Sequence, residues 1–266
     1  MLKNITELGP READFISIFA SRQKIFTIKD ATGFWKSPAL TRKKMSRLQK
    51  KGWLERLERG IYMVIPLEAG PERQWSENSL YLASHLANPA SVAYWSAIRF
   101  WNWTEQLPQI VYVQTTQRKN TTRKTIMGVQ YEIVTVPKLK YFGSTKQWQG
   151  EHFFWVTDKE KTLIDCADVV KRSGSIEELI KAVKNSASEI DFQKLDRYIS
   201  QFPNGAVKKR LGFLFETVAT GLSRDAIGIL SEWSTHLSQG VAPLDPGAQK
   251  SGKINTRWKI LRNVEL

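Results

Sequence analysis

Over the first part of the chain the apolar positions recur with helical spacing. From Arg11 to Arg22, residues Ala13, Phe15, Ile16, Ile18 and Phe19 fall at mixed helical intervals, which predicts a helix. Ile25 to Ile28 reads as a short extended segment and Lys29 to Phe34 as a brief second helix. Ser37 before Pro38 is a sound helix start, because proline at the first helical position loses no hydrogen bond. The third helix then runs to Gly52, a residue suited to the left-handed conformation that ends helices.

At about 100° per residue, Leu40, Thr41, Met45 and Leu48 share one side of that third helix, and Arg42, Lys43, Ser46 and Lys50 the other. One side packs and the opposite side is basic. Trp53 to Leu57 and Ile61 to Ile65 then read as two short strands around Glu58-Arg59-Gly60, with Gly60 supplying the positive φ of a tight hairpin. Three short helices and a hairpin describe a winged helix-turn-helix.

The pattern changes after Leu67. The stretch to Ser76 ("LEAGPERQWS") mixes Gly, Pro and charge as linkers do, so residues 1–67 are expected to form the winged-helix domain, 68–76 a linker and 77–266 a larger domain. Two apolar helices are expected at Glu77 to Ala87 and Ser91 to Trp101. Strand-like runs follow at Gln109 to Thr115, Val129 to Val136 and His152 to Val156, rich in Val, Ile and aromatics. Thr157-x-x-Glu160 and Ser175-x-x-Glu178 fit the capping box and should open helices over 158–171 and 176–187. Further helical patterns cover Phe192 to Gln201, Ala206 to Leu222 and Arg224 to Leu237, with a loop from Pro243 to Gly252 and a last strand from Trp258 to Val264. The expected fold class is α+β, a winged helix-turn-helix followed by a larger mixed α/β domain.

Charge sharpens this picture. Forty Lys and Arg against 26 Asp and Glu give +14, and residues 1–67 alone hold 14 basic and 6 acidic side chains. From Arg42 to Arg59 eight basic residues face only Glu55 and Glu58, whereas an ordinary solvated face mixes both signs. In a winged helix the third helix enters the major groove, where Arg and Lys pair with guanine edges. Arg42, Lys43, Ser46, Arg47 and Lys50 are therefore the DNA-contact candidates, with Arg56 and Arg59 in the wing. Thr41 is counted with them, although the helical wheel sets it on the packed side. A second basic cluster, Arg118, Lys119, Arg123 and Lys124 in "QRKNTTRKT", is expected in a loop between two strands, either as an ordinary charged hairpin loop or as a candidate for secondary phosphate contacts.

Chemistry finds little support. The single cysteine, Cys166, excludes an internal disulfide, and His85, His152 and His236 lack ligand spacing, so no structural metal and no cofactor are expected. The common nuclease triplets Glu-x-Lys and Asp-x-Lys do not occur. A nucleotidyltransferase would want a Gly-Ser turn before two strand carboxylates; Gly174-Ser175 with Glu189-x-Asp191 is the nearest approach, without a third carboxylate. An enzyme delivered to nucleic acid by a winged helix stays as the competing class. No signal-peptide pattern and no comfortable bilayer span are evident, which points to the cytoplasm.

The segment "RLQKKGWLERLERGIYMV" resembles the winged-helix N-terminus of AbiEi-type antitoxins, transcriptional regulators of type IV toxin–antitoxin modules. "WSAIRFWNWTEQLPQIVYVQTT", "VTDKEKTLIDCAD", "RLGFLFE" and "LDPGAQKSGKINTRWKILRNV" are similar, in order, to segments of that family's C-terminal domain. The resemblance implies a repressor of its own operon that binds inverted repeats in double-stranded promoter DNA, as a homodimer or as cooperative monomers. It also implies a non-enzymatic antitoxin that counteracts an AbiEii-like nucleotidyltransferase toxin without a stable complex. The DNA-facing role carries over to the helix-three and wing residues already named. Arg210, Asp245, Asn255, Arg257 and Trp258 lie in the matched segments, where a buried Arg–Asp pair bracing the C-terminus explains them equally well.

Overall fold

Helix α1 (Pro10–Arg22) turns Phe15 and Ile16 into a core shared with Phe26, Trp35, Met45, Leu48 and Trp53. The computed structural model describes residues 8–22, 24–66, 69, 77–150 and 152–266; the expected linker falls almost wholly outside the described residues. A capping box opens α2 (Ile28–Trp35), in which the Asp30 amide donates to the Thr27 hydroxyl and the Thr27 amide to the Asp30 carboxylate. Ser37 caps α3 (Pro38–Lys50), with Pro38 in the first turn as expected. Strands β1 (Ile25–Thr27), β2 (Leu54–Glu58) and β3 (Ile61–Val64) form an antiparallel sheet in the order β1-β3-β2. Gly60 turns the β2–β3 hairpin at φ 78°. This is the expected winged helix-turn-helix.

The larger part is built on a six-stranded mixed sheet in the order β6-β7-β5-β4-β9-β8. Its strands are β4 (Ser91–Val92), β5 (Ile110–Thr115), β6 (Arg123–Ile126), β7 (Val129–Thr135), β8 (Ser144–Gln149) and β9 (His152–Thr157). The pairs β5–β7 and β4–β9 are parallel and the rest antiparallel. Alternation along β5 sends Tyr112 to one face and Val111 and Val113 to the other. On the Tyr112 side lie α5 (Tyr94–Phe100) and α6 (Lys159–Asp168), and α7 (Ile176–Ser186), α8 (Phe192–Gln201), α9 (Gly205–Val218) and α10 (Arg224–Thr235) extend the same core around α6. Against the other face pack α4 (Ser79–Ala83) and, from the winged helix, Ile25, Leu57, Met63 and Ile65. The two parts thus share a hydrophobic core.

A small sheet of β10 (Ala242–Pro243), β12 (Ile260–Arg262) and β11 (Lys253–Asn255) closes the chain. Trp258 is buried against α9 so closely that a Cβ on Gly212 would lie 2.0 Å from its ring. Its indole N–H donates to Glu216 at 2.6 Å, and Glu216 also pairs with Arg257 at 2.9 Å. The Asn255 side chain accepts from the Trp258 amide. Arg210 is buried, but it does not pair with Asp245: its guanidinium donates to the carbonyls of Pro243 and Ala167, tying the small sheet to α6.

Several boundaries differ from expectation. The first helix after the linker is only Ser79–Ala83, and Ser91–Val92 is a strand, so the next helix starts at Tyr94. Asp158, not Thr157, caps α6, accepting from the Lys161 amide at 2.9 Å. Ser175 does cap α7, but Glu178 turns away from it to Thr104 and Lys181. The basic loop expected around Arg123 contains the edge strand β6. Among the described residues, no helix is long and apolar enough to cross a membrane.

Candidate nucleic-acid interface

Helix α3 is seated by burial of Thr41, Met45 and Leu48. The two large apolar side chains stabilise that seating by roughly 1.5–3 kcal/mol each. The opposite side presents Arg42, Lys43, Ser46, Arg47 and Lys50, all exposed and on one side of the helix, as expected. Thr41 departs from the expected list. It is fully buried, and its hydroxyl donates to the Ser37 carbonyl at 2.7 Å, so it holds the first turn and cannot reach a base edge.

Lys44, between the two faces, has a different task. Its ammonium lies 2.8 Å from the buried Glu12 carboxylate and 5.6 Å above the Trp35 ring. Arg47 also leans toward Glu12, at 3.7 Å. Burial would raise the Glu12 carboxyl, but the Lys44 hydrogen bond, the Gly9 amide and the two positive charges outweigh it and hold it below the ordinary glutamate value. Glu12 therefore pins α3 to α1 from behind. Sequence reasoning missed this pair; the one signal was a lone acidic residue among the inward positions of α1.

In the wing, Arg56 and Arg59 are exposed, and Arg56 donates from Nε to the Glu58 carbonyl at 3.4 Å. Glu58 is not turned to solvent. Its carboxylate takes Lys124 at 2.8 Å and Lys119 at 3.3 Å, while Lys124 also donates to the Leu57 carbonyl. Burial alone would raise this carboxyl; hydrogen bonds from Lys124 and the Arg59 amide, with the charges of Lys124 and Lys119, bring it down to about 2.

The second basic cluster is thereby split. Lys119 and Lys124, largely covered, clamp the wing to the six-stranded sheet instead of facing solvent. Arg118 is exposed, and Arg123 reaches Glu132 at 3.1 Å while keeping most of its surface open. With Arg172, which also pairs with Glu132, they line an open cleft of about 870 Å³. No cluster of three or more His, Cys, Asp or Glu side chains able to hold a metal ion occurs among the described residues.

The fold and this exposed cationic helix define a winged-helix protein with an α+β partner domain. Residues 14–65, from α1 through the wing, match the family described as "Transcriptional regulator, AbiEi antitoxin". The resemblance to AbiEi antitoxins is thereby shown for residues 14–65. No curated protein matches the chain. The whole fold is similar to the crystal structure of the RV2827C protein from Mycobacterium tuberculosis, with a TM-score of 0.67 over 96% of this chain and 92% of that one. At 15% identity the likeness is one of fold.

Proposed function

We propose that this protein is a cytoplasmic, DNA-binding autorepressor and the antitoxin of a type IV module, without enzymatic activity of its own. Residues 1–67 would read inverted repeats in its own promoter, and residues 77–266 would counteract an AbiEii-like nucleotidyltransferase toxin without forming a stable complex with it. The observation that carries the DNA reading is the exposed set Arg42, Lys43, Ser46, Arg47 and Lys50 on one side of α3. Glu12 takes up Lys44 from the inner side, with Arg47 leaning toward it, while all five side chains stay exposed. Side chains so placed can reach base edges, while Arg56, Arg59, Arg118 and Arg123 would sit on phosphates. A two-fold operator calls for two protomers, as a dimer or as cooperative monomers.

The test is a mobility shift with the chain's own upstream region across a salt series. About four to six phosphate contacts per protomer should make log K fall with log salt at about −0.9 per contact. Absence of a shift at low salt overturns the reading. Turnover of labelled DNA or transfer RNA with Mg²⁺ by the purified protein would instead support the competing class, a nucleic-acid-modifying enzyme.

A further inference from the structure

The edge hairpin of the six-stranded sheet carries an exposed aromatic face that the winged-helix reading leaves unused. Strands β8 and β9 pair Trp148 with Phe153 and Lys146 with Trp155, so these four side chains project from the same face of the hairpin. Trp148 is 61% exposed and Phe153 and Trp155 are each 42% exposed, although aromatic side chains bury readily. The Trp148 and Phe153 rings are 5.4 Å apart, and the Lys146 ammonium sits 4.6 Å from the first and 4.0 Å from the second. Among the described residues on this side of the hairpin, the exposed ones are the three rings and Lys146, with half-buried Ser144 and buried Thr157 beyond them, and none is a carboxylate.

We infer that this face binds single-stranded nucleic acid, with bases stacked on Trp148, Phe153 and Trp155 and the backbone drawn to Lys146. Adjacent antiparallel strands that offer rings from one face are a geometry on which successive bases stack, and stacking tolerates any sequence because every base has a π-face. Charge selects the occupant. A chain of +14 with a lysine between the rings attracts a polyanion, whereas a second copy would bring another such lysine and another +14 to a face whose described residues include no carboxylate. Two clefts adjoin the rings. One of about 710 Å³, lined by Phe153, Trp155, Asn88 and Tyr141, and one of about 730 Å³, lined by Trp148, Asn102 and Arg99, offer polar groups to the edges of stacked bases.

The experiment measures anisotropy of labelled oligo-uridine and oligo-thymidine 12-mers, and of a random duplex, with the full chain. Trp148→Leu with Phe153→Leu keeps apolar area but removes the ring faces, and should weaken single-strand binding by roughly ten-fold or more while leaving duplex binding unchanged. Trp148→Phe alone should retain most of the affinity, since a ring remains. Arg42→Ala with Lys50→Ala should do the reverse, losing duplex and keeping single strand, so that failure of the helix-three reading is told apart from failure of this one. The inference falls if the wild-type chain ignores single strands. It also falls if the leucine pair binds them normally, or changes only sedimentation, which would make the face a protein contact.

Discussion

The Glu58 carboxylate in the wing lies 2.8 Å from the Lys124 ammonium on β6, 66 residues further along the chain. A wing tied in this way moves with the sheet, so the orientation of α3 is set by the larger domain. Glu58→Gln keeps the shape and removes the charge. It should cost about 1–2 kcal/mol, read as a shift of the urea midpoint at pH 7. Because the folded carboxyl sits at about 2, below the ordinary 4.5, its contribution is complete above pH 4.5 and is lost as pH falls toward 2. Wild type and variant should therefore converge in acid; a constant gap would show that the clamp does not act through charge.

Glu12 should matter more than its single charge suggests. Glu12→Gln leaves Lys44 facing a neutral amide beneath α3 and should lower stability by about 1–3 kcal/mol. The sign with pH is the same: the folded carboxyl is depressed, so the contribution is present above the ordinary 4.5 and fades below it. Lys43→Gln on the open side should stay within about 0.5 kcal/mol of wild type. Chemical denaturation of the two variants compares them directly.

Glycine to alanine should act with opposite signs at two helical sites. At Gly212 in α9 the new methyl would fall 2.0 Å from the Trp258 ring, with no room for the indole to retreat from the core, so a loss of about 2–3 kcal/mol is expected. At Gly228 in α10 nothing lies within 4 Å of the same methyl, and the change should stabilise by about 0.5–1 kcal/mol. Thermal melts of the two variants check both; equal shifts would show that the Trp258 contact is not tight.

What was legible in the sequence is what local spacing encodes. The outward set on α3 follows from a 3.6-residue period with Met45 and Leu48 inside, and Ser37-Pro38 and Gly60 mark their turns through local chemistry. The clamp was not legible, because nothing near Lys119 or Lys124 names a partner some 60 residues away. Strands β6 and β8 escaped because edge strands bury little and so carry no apolar alternation: "RKTI" falls within an expected loop and "STKQWQ" suggests no element. The wheel did place Thr41 inside, and the structure follows the wheel.

Helix α3 gives the sharpest functional contrast. Arg42→Ala with Lys50→Ala removes two exposed cations that support no packing, so stability should change by less than about 1 kcal/mol while operator binding is lost at physiological salt. At lower salt, where residual binding can be titrated, the salt slope should shrink by about 2, close to 0.9 for each phosphate contact removed. Thr41→Val is the opposite case. It deletes a hydroxyl that serves only the Ser37 carbonyl, so it should lower the melting temperature by a few degrees and leave operator specificity intact. If instead Thr41→Val changes which operator bases are preferred, α3 approaches DNA by a face other than the one that Arg42, Lys43, Ser46, Arg47 and Lys50 define.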